Sequence, residues 1–200
     1  MARHPVGRET AFCSWKPLLI TAGAGRMEAI GSLKKEKLKE SIISDVRQNR
    51  IMLEKVREFY RNSGGDVREF KKFGGDVDVG YKIEYEKKIQ DVDVCFFGLA
   101  TGDLNPVHFN EEVAASTRFG GRVVHGMLTT GLVSAAVARM PGIVVLLESC
   151  FRYKKPVYPG DTVKVQGEVV EKEGSRYRLD VKCIVDENVV ADGHVVVLLW

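Results

Sequence analysis

Two of the chain's four histidines stand in one run, "TGDLNPVHFNEEVAASTRFGGRVVHGM", residues 101–127. Asp103 lies five residues ahead of His108, with Asn105 and Pro106 between them. A glycine before the aspartate marks a turn, and the proline stiffens the chain, so a carboxylate and an imidazole are held close in an irregular segment. Such a pair can share one water: the carboxylate takes a proton, and the imidazole positions the water or passes a proton onward. The same residue types also build ordinary turns, with Asp103 as a cap and His108 packed at a helix start. The end of the run shifts that balance. His125 and Gly126 follow Val123 and Val124 where a helix should begin. A glycine amide at a helix N-terminus donates to an anionic oxygen with the helix dipole behind it. A water-activating pair beside an oxyanion donor suits hydration of a double bond conjugated to a carbonyl, in which water adds at the β-carbon while the carbonyl oxygen gathers charge.

The elements that must position these groups can be read on either side of the run. "YKIEYEKKI" predicts a strand with Tyr81, Ile83, Tyr85 and Lys87 on one side. The segment from Val92 to His108 reads as a lead-in without an assigned element. Asn110 followed by Glu111 and Glu112 predicts a short helix reaching about Thr117, with its acids at the positive end. A second helix is expected from Gly126 to Arg139. Its small residues Gly131, Ser134, Ala135, Ala136 and Ala138 suit close packing against a sheet or helix, and "MPG" at 140–142 stops it. Four strands are expected over 143–152, 162–173, 176–186 and 189–199, in meander order. Val163, Val165, Gly167 and Val169 alternate with polar neighbours, as do Leu179, Val181, Cys183 and Val185, the pattern of a half-buried antiparallel sheet. No crossover helices separate these strands, which excludes a doubly wound parallel sheet.

Upstream, Leu38, Ile42, Val46, Leu53, Val56 and Tyr60 recur at threes and fours, so residues 27–60 predict one long amphipathic helix or two shorter ones. "NSGGD" at 62–66 ends it, and "KKFGGDVDVG" at 71–80 reads as a linker. Residues 1–25 read as an irregular arm. Residues 1–76 carry sixteen Lys or Arg against ten acids, while the whole chain is only +3. Nucleic acid is not called for by that total, and a positive N-terminal segment suits an anionic ligand or an acidic partner. Cys13, Cys95, Cys150 and Cys183 form no CxxC pair and read as buried free thiols of a reducing compartment. The acids of "DVDV" at 76–79 have no ligand spacing, so no metal is expected. Without a membrane-length apolar run or a leader pattern, the expected location is cytoplasmic. His194 stands alone on the last strand and reads as structural, and His4 carries no argument.

The run "FFGLATGDLNPVHFNEEVAASTRFGGRVVHGMLTTGLVSAAV", residues 96–137, resembles the signature of the MaoC-like (R)-specific enoyl-CoA hydratases of the hot-dog fold. "FRYKKPVYPGDTVKVQGEVVEK", residues 151–172, resembles the strand, turn and strand that follow in that family. The likeness covers roughly residues 79–200. It implies an α+β hot-dog fold, a curved antiparallel sheet wrapped around a central helix, with residues 1–78 as an arm and amphipathic helical extension. Carried over by position, Asp103 is the catalytic carboxylate, His108 its partner and Asn105 a member of the same loop. The Gly126 N–H polarises the thioester carbonyl, Ser134 supports the site and His125 orders the loop. The implied reaction is reversible syn hydration of a trans-2-enoyl-CoA to the (R)-3-hydroxyacyl-CoA, within fatty acid metabolism. It needs no metal or cofactor, coenzyme A being part of the substrate. The resemblance also implies a homodimer or a higher oligomer built from dimers. Arg152, Lys154 and Lys155 are candidate contacts for the coenzyme A phosphates, against a plain reading as a solvated strand end; Arg118 and Arg122 flank the loop on the same terms.

The extension departs from a plain hydratase, since it is too short and too helical for a second hot-dog. It is expected to clamp a dimer, build a larger assembly or roof the acyl tunnel. Two other classes fit the chain: a hot-dog acyl-CoA thioesterase, and a non-catalytic acyl-CoA-binding or assembly subunit.

Overall fold

The computed structural model describes residue 48 and residues 50–200. The N-terminal arm, most of the expected helix over 27–60, His4 and Cys13 lie outside the described residues. The chain divides into two compact units, Met1–Arg50 and Ile51–Trp200. In the first, residues 48 and 50 are described, and both are helical.

Within this unit, residues 51–62 form helix α1. Next come β1 (Lys82–Lys88), α2 (Asp91–Thr101), α3 (Pro106–Phe109), α4 (Glu111–Ala115) and α5 (Gly126–Val137). The chain closes with β2 (Val144–Tyr153), β3 (Thr162–Glu173), β4 (Arg176–Val185) and β5 (Asn188–Leu199). The five strands make one antiparallel sheet in the order β1-β3-β4-β5-β2. Alternation decides its buried face: Ile83, Val163, Val165, Val169, Leu179, Val181 and Cys183 are all at most 2 % exposed, while their sequence neighbours point outward. Against that face lie Leu132, Val133, Ala136 and Val137 of α5, in one apolar cluster with it. This is the hot-dog arrangement, a curved sheet around a central helix. No described helix is long and apolar enough to cross a membrane.

Three expectations need correction. The last four strands are not a simple meander: β3, β4 and β5 follow one another, but β2 pairs with β5 at the far edge. The connection from Lys154 to Asp161 has to return from that edge to β3, and it passes the start of α5, where Val124 N–H donates to the Val157 carbonyl at 2.7 Å. Helix α2 was not foreseen, because "DVDVCFF" alternates like a strand. Its markers are the acids Asp91 and Asp93 in its first turn and Gly102 behind it in the left-handed conformation. Finally, Cys183 alone of the three described cysteines is buried, and burial pushes its thiol up to about 12; Cys95 and Cys150 are exposed.

The small residues of α5 divide between its two sides. Ala136 is buried, whereas Met127, Gly131 and Ser134 form an exposed stripe. At the other end of α5, residues 66–75 are stitched down by two cations. Lys72 Nζ donates to the carbonyls of Ala138, Met140 and Gly142 at 2.7, 3.0 and 2.7 Å, capping the helix end. Arg139 is 9 % exposed, donates to the Glu69 carbonyl at 3.0 Å and lies 4.4 Å over the Tyr85 ring. The segment that reads as a linker is thus pinned to the helix end.

Candidate active site

Glycine and asparagine build the loop that carries Asp103. Gly102 adopts φ 79°, ends α2 by donating to the Gly98 carbonyl, and turns the chain so that Asp103 leaves the helix axis. Asn105 N–H donates to Asp103 Oδ1 at 3.3 Å, and Asn105 Oδ1 accepts from Val107 N–H at 3.3 Å. With Pro106 at its first turn, α3 is thereby started two residues before His108. Asn110 starts α4 in the same way, by accepting from Val113 N–H at 2.9 Å. The helix foreseen over 110–117 is therefore α4, and the short α3 ahead of it was not foreseen; an asparagine opens each.

Two imidazoles lie against each other beside this loop. His108 Nδ1–H donates to the Val123 carbonyl at 2.7 Å, and His125 Nε2–H donates to the backbone carbonyl of Asp103 at 3.0 Å. A carbonyl oxygen only accepts, so both tautomers are set: the proton sits on Nδ1 of His108 and on Nε2 of His125. The His108 Nε2 lone pair is left for chemistry. The rings stack with centroids 3.7 Å apart and 30° between planes, and Phe97 packs on His125 at 4.8 Å. His108 and His125 are 9 % and 2 % exposed, while Asp103 faces solvent. Among the described residues, Asp103, His108 and His125 alone gather as a possible ligand set, with one ligand atom from each within 4.8 Å of the others. The stacking speaks against a shared ion, because lone pairs in two nearly parallel ring planes do not converge on one point. One carboxylate oxygen of Asp103 and one ring nitrogen of His108 within that distance instead leave room for a water between them. His125 Nδ1 is buried without a hydrogen-bond partner among the described residues.

A cavity of about 540 Å³ opens beside His108, and Asp103 is not among the residues that line it. His108, Val123, Gly126, Thr129, Tyr153 and Val157 are among its lining residues. Gly126 is the first residue of α5, so its N–H has no partner within the helix. A Cβ there would come within 2.9 Å of the Tyr153 ring, which would have to shift to admit one. Tyr153, whose hydroxyl lies 3.2 Å from Thr130 Oγ1, was not singled out by sequence, since nothing in "FRYKKP" shows that the β2–β3 crossing covers the helix start.

The other candidates fall in different places. Lys154 and Lys155 line the cavity with Arg118, but their ammonium groups are engaged, Lys154 with Asp192 at 2.6 Å and Lys155 with Asn188 Oδ1 at 2.5 Å. Arg152 points to the opposite face of the sheet, into a groove of about 860 Å³ that shares no residue with this cavity. Ser134 is exposed and, among the described residues, its side chain makes no hydrogen bond to Asp103 or His108. Arg122 is a tie rather than a free cation: it bridges Asp91 of α2 at 2.9 Å and Glu111 of α4 at 3.1 Å, and its hydrogen bond to Asp91 is the main reason its guanidinium is held above its ordinary range. His194 pairs with Glu148 at 3.1 Å on the outer face.

Against known proteins, residues 72–191 match the model of the MaoC like domain. A 3-hydroxybutyryl-CoA dehydratase of Methylorubrum extorquens is 41% identical over 126 residues, 61% of this chain and 80% of that protein. An (R)-specific enoyl-CoA hydratase of Rhodospirillum rubrum is 35% identical over 130 residues, 62% of this chain and 89% of the relative. Among solved structures, protein af1124 from Archaeoglobus fulgidus superposes with a TM-score of 0.76 at 57% identity, covering 76% of this chain and 98% of that one. With a loop, a histidine pair and a helix start in one place, and a domain match over more than half its length, this chain belongs to the MaoC-like dehydratase family.

Proposed function

We propose that the chain catalyses reversible syn hydration of a trans-2-enoyl-CoA to the (R)-3-hydroxyacyl-CoA. The observation that carries this reading is Asp103 and His108 brought together through one ligand atom each within 4.8 Å, with His108 and Gly126 lining one cavity. A water held between the two groups adds its oxygen to C3 of the enoyl chain and gives up a proton to the site, and C2 receives a proton on the same face. The thioester oxygen, where charge gathers, faces the first-turn amides of α5. No electrons are transferred, so the reaction calls for no redox cofactor, and coenzyme A enters as part of the substrate. Lys154, Lys155 and Arg118 sit where a phosphate-bearing tail would leave the cavity, and Arg152 does not. The test is loss of the conjugated-thioester absorbance of crotonyl-CoA and a panel of longer and branched chains, with the product assayed by (R)- and (S)-specific dehydrogenases. An (R) product without free thiol is expected. Free coenzyme A would point to a thioesterase, and an inert panel to a binding subunit.

The reading extends to a homodimer joined along β2. Both sheet edges are open in a single chain, but they differ. β1 shows Lys82, Glu84, Glu86 and Lys88 to solvent, charges that discourage pairing, whereas β2 exposes Val145, Leu146 and Leu147. The stripe of Met127, Gly131 and Ser134 on α5 is likewise left uncovered. With the described cysteines unpaired, the setting we propose is reducing and cytoplasmic.

His125 offers a separable test. His125→Phe keeps a flat ring against His108 but removes the donor to Asp103, whereas His125→Gln keeps a donor and removes the stack. If the donor holds the Asp103 loop in place, the Phe variant loses about tenfold or more in kcat, since small misplacements of a reacting group are costly. The Gln variant should retain more; a loss in the Gln variant with the Phe variant spared would assign the effect to stacking.

A further inference from the structure

Three polar side chains, Asp93 buried and Tyr60 and Lys87 half-buried, meet where α1, β1 and α2 come together, and the chemistry above uses none of them. Tyr60 is in the last turn of α1, Lys87 near the end of β1 and Asp93 in the first turn of α2. Tyr60 Oη donates to Asp93 Oδ1 at 2.5 Å. Lys87 Nζ donates to Tyr60 Oη at 2.6 Å and to the Asp66 carbonyl at 3.0 Å, and lies 3.3 Å from Asp93 Oδ1. Asp93 Oδ2 accepts from Gln90 N–H at 2.8 Å, at the start of α2. The Lys87 and Asp93 side chains are 11% and 8% exposed. Burial, and then the bond to Asp93, hold the Tyr60 hydroxyl far above its ordinary range, so it remains a donor. The chain is shaped to keep this ring in place. Gly64 takes φ 85°, and a Cβ on Gly65 would collide with the Tyr60 ring, so the two glycines fold the chain back over it.

Burying an ion pair seldom stabilises a fold more than apolar packing would, and a fixed geometry is the use such a cluster can serve. Here the geometry fixed is that of α2. Phe96 packs against Tyr60, edge to face at 5.8 Å, and against Phe59 at 6.2 Å. The next residue, Phe97, packs on His125 at 4.8 Å. Gly98 leaves room for the Phe109 ring and the Asp103 carbonyl, which a Cβ would approach to 2.5 and 3.1 Å. Four residues later Gly102 ends α2 and delivers Asp103. Helix α2 is therefore held by α1 through Asp93 and Phe96, and it holds the site through Phe97, Gly98 and Gly102.

We infer that Tyr60 is a positioning residue for the hydration: through Asp93 and Phe96 it fixes the seating of α2 and so the placement of Asp103. Helix α1 thereby belongs to the active-site machinery although it does not line the cavity. This inference rests on the hydratase reading for its kinetic consequence, but its structural half can be read without turnover.

The test is Tyr60→Phe, which keeps the ring and removes the hydroxyl. In the full chain, amide hydrogen exchange at Gly102 and Leu104 should quicken about tenfold, while β4 keeps its protection. In kinetics, kcat for the enoyl-CoA should fall about three- to tenfold with KM changed less than about twofold. In an Asp103→Asn background the same change should cost nothing further, because a misplaced group that is already disabled cannot be disabled again. Loss by the same factor in both backgrounds, or unchanged exchange at Gly102 and Leu104, would overturn the inference. Phe96→Leu loosens the same contact without disturbing the buried charges and should give the same pattern if Tyr60→Phe does not fold. A wild-type chain inert toward every enoyl-CoA would remove the hydratase reading, and the exchange result would then decide the inference alone.

Discussion

Asp103→Asn and His108→Ala are each expected to lower turnover by about a hundredfold or more, the scale of a positioned proton transfer. Both should leave the fold intact. Asp103 is exposed, and its carboxylate accepts one long bond, from Asn105 N–H at 3.3 Å, so the amide of Asn can replace it in the loop without burying an unpaired charge. His108 is more enclosed, and its loss releases the Val123 carbonyl and one face of the His125 ring. A moderate fall in melting temperature should therefore accompany His108→Ala but not Asp103→Asn. The two changes are also expected to be far from additive, since a water held by both groups is lost when either is removed. Kinetics on the purified variants, with circular dichroism and melting curves beside them, check all of this. A variant of either residue with full activity would show that the water is activated elsewhere.

The largest effect on stability is expected from Gly193→Ala. Gly193 lies on β5 between Phe151 of β2 and Val181 of β4. A Cβ there would stand 1.9 Å from the Cys150 carbonyl oxygen and 2.8 Å from Phe151 Cα, backbone atoms that no side-chain rotation can move. Accommodating it requires β2 to separate from β5, which strips the sheet of its outer strand. The cost should reach about 4 kcal/mol, in the range reserved for severe steric conflict. In a domain of this size that corresponds to a fall of roughly 10 °C or more in melting temperature. Activity should go with it, because β2 carries Tyr153 and leads into Lys154 and Lys155. Gly131→Ala is the control: nothing lies within 4 Å of its would-be Cβ, and in a helix alanine is favoured by about 1 kcal/mol. Thermal melts of the two variants should differ in sign in the isolated chain. A Gly193→Ala protein that melts like the wild type would mean that the β2–β5 spacing readily relaxes.

Much of this structure could be read from the chain because its signals are local. Residues 162–169 and 176–185 alternate without interruption, and the strands they belong to lie where the sequence placed them. The site was legible for the same reason, since Asp103, Asn105, His108, His125 and Gly126 lie in one run whose turns bring them together. What was hidden depends on distant contacts. The place of β2 beside β5 is decided by where the 154–161 crossing lands, and no residue in it announces that. Helix α2 was masked by β-branched and acidic residues alternating, and its helical form is secured by caps and by Phe96 and Phe97 packing on opposite neighbours. Arg152 and Lys154 are two apart in sequence and looked equivalent, but Arg152 lies on the strand face turned away from the cavity. Ser134 and Ala136 are likewise two apart on one helix, and only the alanine meets the sheet.

The unequal edges of the sheet set a limit on growth. A unit with two adhesive margins can be added to without end and gives a fibre; a unit with one has a valence of one, and its association stops as soon as that margin is satisfied. The lysines and glutamates of β1 are the charges of a terminator, so a copy pairing along β2 as proposed would close the sheet rather than extend it. Neutralising β1 would be the change that converts a finite object into an open-ended one.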